Sequence, residues 1–145
     1  MTKIDFLSSQ ETDTEARLRL VCRVAQKALR NGEDVFIACT NAEQATQLDA
    51  LLWSFEPESF IPHANFTATP ATSSDAEAPV LLSHGEDCGD HHGVLINLRS
   101  PAPAFFSRFE RLFELIVQTP EVLADTRANW SYYKSRGYPL DLKHI

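Results

Sequence analysis

The sequence has no apolar run approaching the roughly 18 to 20 residues that a membrane-spanning helix needs. Its opening residues, MTKIDFLSSQ, lack the apolar core of a secretory signal. Together these absences lead us to expect a cytoplasmic protein. Cysteine is scarce: Cys22, Cys39 and Cys88 form an odd set with no CxxC pair. That argues against a disulfide framework and suits a reducing compartment. Glycine is scarce too, with five in 145 residues. None stands in SSQETDTE or CTNAE, the two turns where a phosphate-binding α/β enzyme would need them. GxGxxG, GxxxxGK[ST] and GxSxG are all missing. Positive charge is in deficit: the net charge of −7 argues against broad contact with nucleic-acid phosphates.

What is present is a regular alternation of two periods. KIDFL, residues 3–7, alternates polar and apolar and reads as a strand. Thr12 and Glu15 have capping-box spacing, and Leu18, Val21, Cys22, Ala25, Ala28 and Leu29 then recur at helical spacing. Asn31-Gly32 closes that helix. DVFIAC, 34–39, reads as a buried strand; Thr40 and Glu43 open a second helix that runs to about Trp53. PVLLS (79–83) and GVLINL (93–98) read as further strands. A short helix from about Pro103 and a strand within 111–117 follow. A last helix begins at Pro120 and stops at Gly137, and YPLDLKHI supplies an edge strand. The β-α-β-α opening predicts a Rossmann-like α/β fold: a mostly parallel sheet with helices on both faces, in a single domain over 1–145. ANFTATPATSSDAEA, 64–78, reads as a mobile polar loop.

Two places carry enzyme-like residue types. HGEDCGDHH, from His84 to His92, offers metal ligands, but they crowd into one glycine-bearing loop. Structural zinc usually draws its ligands from two separated elements. The expected state is therefore a solvated loop with no metal. Cys39 ends a strand, where doubly wound folds bind ligands. The alternative function is accordingly a small nucleotide- or metal-binding enzyme using that end of the sheet. Cys22 and Cys39 otherwise read as small buried hydrophobes.

Aromatic and basic residues gather elsewhere. In LLWSFEPESFIPH, 51–63, Trp53 lies roughly 120° from the centre of the apolar stripe of Ala45, Leu48, Leu51 and Leu52. Trp53 and Phe60, brought back by Pro57, could form one exposed aromatic face, a small cluster under a loop, or a homodimer contact. The last helix offers Arg127 and Trp130 three residues apart, with Tyr133 and Lys134 continuing that side. A guanidinium beside an indole can hold a carboxylate while the ring receives an apolar side chain; the bland alternative is that Trp130 and Tyr133 are core, with Arg127 lying over them. Residues 127–145 carry Arg127, Lys134, Arg136 and Lys143 against Asp141, a local +3 that leaves −10 for the remainder. Such a basic corner on an acidic body suits a small acidic partner.

At these residues the chain resembles the chi subunit family of bacterial DNA polymerase III. VFIACTNAEQATQLDALLWSFEPESFIPH (35–63) carries the resemblance most specifically; RANWSYYKSRGY (127–138) and VLINL (94–98) extend it. The resemblance implies an accessory subunit without catalytic activity or cofactor. It implies pairing with the psi subunit of the clamp loader, and binding of the acidic, Phe-ended C-terminal tail of single-stranded DNA-binding protein. Trp53 and Phe60 would form the face for psi or a helicase-like partner. Arg127 and Trp130 would form the tail pocket. The family tends to carry a basic residue one turn before the arginine, where this chain has Leu123 and Ala124.

Overall fold

The computed structural model describes residues 1–54, 61–65 and 78–145. Its elements run β1 (Lys3–Ser8), α1 (Thr14–Arg30), β2 (Val35–Ala38), α2 (Ala42–Ser54), β3 (His63–Asn65), β4 (Val80–Ser83) and β5 (Val94–Asn97). A 3-10 turn (Ala104–Arg108), β6 (Arg111–Ile116), α3 (Pro120–Ser135) and β7 (Leu140–His144) complete them. Phe55, Pro57, Phe60 and residues 66–77 of the polar stretch lie outside the described residues.

Both helix starts differ by one residue from the sequence expectation. Asp13, not Thr12, caps α1, its carboxylate accepting from the Ala16 amide at 2.7 Å. Glu15 instead pairs with Arg19 one turn on. At α2 the box is Asn41 and Gln44: the Asn41 side chain accepts from the Gln44 amide at 2.8 Å, and Gln44 accepts from the Thr40 amide at 2.7 Å. In each case Asp or Asn, the stronger cap, displaces the neighbouring Thr. The stops fall as expected, with Gly32 and Gly137 at φ 76° and 84°, the left-handed region where a Cβ is disfavoured.

The strands form one seven-stranded sheet in the order β3-β4-β2-β5-β6-β1-β7. Every pairing in it is parallel. β2, β4 and β5 are buried on both faces, which is why they read as continuous apolar runs. Alternate residues divide between two cores. Val35, Ile37, Leu82 and Ile96 pack under α1 and α2 with Leu48, Leu52 and Val21. Phe36, Leu81, Leu95, Ile4 and Phe6 pack under α3 and the 3-10 turn with Phe106, Phe109 and Tyr133. The expected fold is therefore the observed one, with β7 as the added edge strand.

Inside the second core sits a carboxylate. Glu114, on β6, is fully buried among apolar neighbours. Its Oε2 accepts from Tyr133 Oη at 2.6 Å, from Asn97 Nδ2 at 2.7 Å and from Asn129 Nδ2 at 3.1 Å. The two asparagine amides also each donate to the Arg99 carbonyl, at 3.0 and 2.8 Å. Asn129 and Tyr133 are one turn apart on α3, so this network fastens that helix to β5 and β6. Burial pushes the Glu114 carboxyl up to about 7; the bonds from Asn97, Tyr133 and Asn129, and the Arg17 charge, oppose the rise.

A folded-state pKa above the unfolded value of 4.5 means that the protonated form is favoured by folding. The corresponding stability is present below pH 4.5 and is lost as pH rises through about 7. We therefore expect Glu114→Gln to gain stability relative to the parent across that window. The gain should be on the order of 3 kcal/mol by pH 8, read from urea unfolding at several pH values. Parallel stability curves for the two proteins would remove Glu114 from this role.

Candidate functional site

Arg127 and Trp130 meet at a groove on the α3 face of the β1-β7 edge. Fastened at Asn129 and Tyr133, α3 turns Leu123, Arg127 and Trp130 toward β7. The groove has a volume of about 270 Å³, with Phe6 and Ser8 from β1 and Leu142 from β7 completing its walls. That is slightly below the roughly 300–1,000 Å³ of small-molecule sites and suits one or two side chains. Trp130 is partly buried and packs edge-on against Phe6, with ring centroids 4.9 Å apart. It thus serves the core and walls the groove at once. Arg127 is exposed and makes no ion pair or hydrogen bond with a described residue, so its guanidinium is open to an incoming carboxylate.

Tyr133 takes the core alternative and does not continue this side. It is fully buried against Phe6 and Phe106 and donates to Glu114. Lys134 is exposed. Leu142 and Phe6 were missed as groove residues. The signal was faint: Leu140 and Leu142 alternate in the tail, and Phe6 in the first strand reads simply as core. Leu123 lines the groove, so that wall is apolar.

Trp53 lies at the opposite edge of the sheet. α2 stays regular through Ser54, so the helical-phase argument applies, and Trp53 is 53% exposed. Its indole stands edge-on to His63 of β3 at 4.9 Å. The His63 side chain is itself buried: Nδ1 lies 2.6 Å from the Ile61 carbonyl, and Nε2 lies 3.1 Å from Asp49 Oδ1, off the axis of a hydrogen bond. Asp49 and Trp53 are one turn apart on α2, so helix and edge strand together set the indole. His63 carried no recognisable signal beyond its place at the end of the aromatic stretch. The companion residue Phe60 lies outside the described residues. At about 4.8 Å per strand, the six spacings from β3 to β7 put the two surfaces roughly 30 Å apart.

The enzyme-like places look different in three dimensions. Cys39 is fully buried, and burial pushes its thiol up to about 12, so it is a poor thiolate. Arg99 lies across the carboxyl ends of β2 and β4, donating to the Cys39 carbonyl at 2.8 Å and the Ser83 carbonyl at 2.9 Å. Those ends are thus occupied by a side chain of the protein itself. The His84–His92 loop is packed more closely against the protein than a solvated loop would be. Cys88 is buried and receives Arg108 Nη1 at 3.3 Å, and His91 is buried against the Ala78 carbonyl at 2.8 Å. Among the described residues, no three His, Cys, Asp or Glu side chains converge on a metal position. Nor is any described helix long and apolar enough to cross a membrane.

Comparison with known proteins shows the family. The family described as DNA polymerase III chi subunit, HolC, matches residues 1–141. The DNA polymerase III subunit chi of Pseudomonas aeruginosa is 42% identical over 140 residues, covering 97% of this chain and 94% of the relative. Its Escherichia coli counterpart is 28% identical over 141 residues, covering 97% and 88%. The Haemophilus influenzae subunit is 24% identical over 127 residues, covering 87% and 85%. The family match runs from the first strand into the start of β7, and the chain belongs to the DNA polymerase III chi subunit family.

Proposed function

We propose that this chain is a non-catalytic adaptor of the replisome. One edge of its sheet binds the psi subunit of the clamp loader, or a helicase-like competitor. The other edge binds the acidic C-terminal tail of single-stranded DNA-binding protein. The observation that carries this reading is the separation of two differently built surfaces: exposed Trp53 set by β3, and a cation-aromatic groove beside β7. Family membership adds the holoenzyme context.

The chemistry of each surface suits its partner. A half-exposed indole offers large contact area with few torsions to freeze, as protein interfaces favour. Phe60 would extend that face. Arg127, without an ion pair or hydrogen bond to any described residue, suits a terminal carboxylate, and the apolar walls of Leu123, Trp130 and Leu142 suit a terminal Phe ring. Lys134 and Arg136 are exposed and would steer an acidic segment toward the groove. An acidic body of net charge −7 would then follow coated single-stranded DNA through the coating protein, with no need for phosphate contacts.

Two substitutions separate the surfaces. Arg127→Ala should weaken binding of a short acidic peptide ending in Phe by more than tenfold in a calorimetric titration. An unchanged titration would remove the groove from tail binding. Trp53→Ala should lose psi in co-purification yet bind the peptide with parent affinity. A folded Trp53→Ala protein that loses both partners would contradict separate surfaces.

A further inference from the structure

The outer edge of β7 has a backbone polarity that can be read from one bond. The Ile145 amide donates to the Ser8 carbonyl at 2.8 Å, in a register that sets Leu142 opposite Phe6 and His144 opposite Ser8. Backbone groups alternate in direction along a strand. The amides and carbonyls of Asp141 and Lys143 therefore face β1, as that of Ile145 does. Those of Leu140, Leu142 and His144 face away from the sheet. No described strand pairs with that side. The residue whose side chain walls the Arg127 groove, Leu142, is thus also one whose backbone is presented outward.

A second groove lies on the other face of the same edge. It too measures about 270 Å³; Leu7 and Phe113 form its floor, and Lys27, Arg111, Lys143 and Glu33 face it, with Arg111 and Lys143 lying 2.8 and 3.9 Å from the carboxylate of buried Asp5. Arg111 lies over the Phe113 ring at 4.9 Å. Side chains alternate between faces along a strand, so Leu142 reaches one groove and Lys143 the other. A strand added beyond β7 would do the same with its own side chains. Both grooves keep a net positive charge above apolar walls, Arg127 in the first and three cations against Glu33 and Asp5 in the second, which favours an occupant that is extended, acidic and partly apolar.

We infer that an acidic peptide segment of a partner adds to β7 as an eighth strand. Its backbone pairs with Leu142 and His144, and its alternate side chains divide between the Arg127 groove and the Lys143 groove. This rests on the reading of the Arg127 groove as an acidic-tail site and specifies how the chain enters it. The main-chain pairing supplies sequence-tolerant affinity, and the terminal aromatic in the groove fixes the register.

Hydrogen exchange and backbone methylation test it together. The probe is a short peptide of Asp and Ala ending in Phe, with two analogues carrying N-methyl groups on alternate amides in opposite phases. The parent peptide should slow exchange at the Leu142 and His144 amides by tenfold or more. One methylated phase should lose binding by at least tenfold while the other keeps it. If both phases bind like the parent while Arg127→Ala still weakens all three, the groove reading stands and strand addition is overturned. If both phases are weakened equally, or the two amides exchange as before, strand addition is again overturned. No binding by the parent peptide overturns both readings. Protection of Leu142 without peptide, in a protein that sediments as a dimer, would give the edge to a second copy and overturn the proposal.

Discussion

The three hydrogen bonds that converge on Glu114 Oε2 are the constraint on which the Arg127 groove depends. A helix packed only by apolar contacts can slide or rotate by a fraction of a turn at modest cost. A helix whose Asn129 and Tyr133 must both reach one buried oxygen cannot, because an orphaned polar group in that core would cost about 1–3 kcal/mol. The carboxyl is itself destabilised by burial and retained nonetheless. Its physical return is position: with Asn129 and Tyr133 fixed, Arg127 and Trp130 are fixed toward β7. Breaking a single member leaves the others unsatisfied, so the network acts as a unit.

The opposite edge is held by a different device. There the indole of Trp53 rests on an imidazole that is buried and flanked by the Ile61 carbonyl and the Asp49 carboxylate. Between the two edges lie strands buried on both faces, a stiff block with no need to move when either edge is occupied. Arg99 joins this block, lying over the carboxyl ends of β2 and β4 and offering its carbonyl to Asn97 and Asn129. The place where a related scaffold would hold a nucleotide serves here to brace the sheet against α3.

Much of this was legible in the sequence, for identifiable reasons. Two periods and two terminal glycines located the helices and strands, because each burial pattern leaves its own spacing. The caps slipped by one residue where Asp13 and Asn41 compete with Thr12 and Thr40, a contest of local hydrogen bonding that spacing alone does not settle. Trp53 was legible by helical phase, since it depends on its own helix. Glu114 was not: it sits in an apolar strand, and its partners lie 15 to 19 residues away on other elements. Periodicity left Tyr133 open between core and groove for the same reason, because its hydroxyl partner decides which way the ring faces. Cys88 and His91 are buried singly from a polar loop, which leaves no period to detect.

If psi and the acidic tail occupy opposite edges of one rigid sheet, as proposed, the two surfaces should act independently. Calorimetric titration of the acidic Phe-ended peptide into the free chain, and into the chain saturated with psi, tests it most directly. Independence predicts the same dissociation constant within about twofold, since uncoupled sites carry no coupling free energy. A tenfold change in either direction would mean that the edges compete or communicate through the sheet, and would contradict the account.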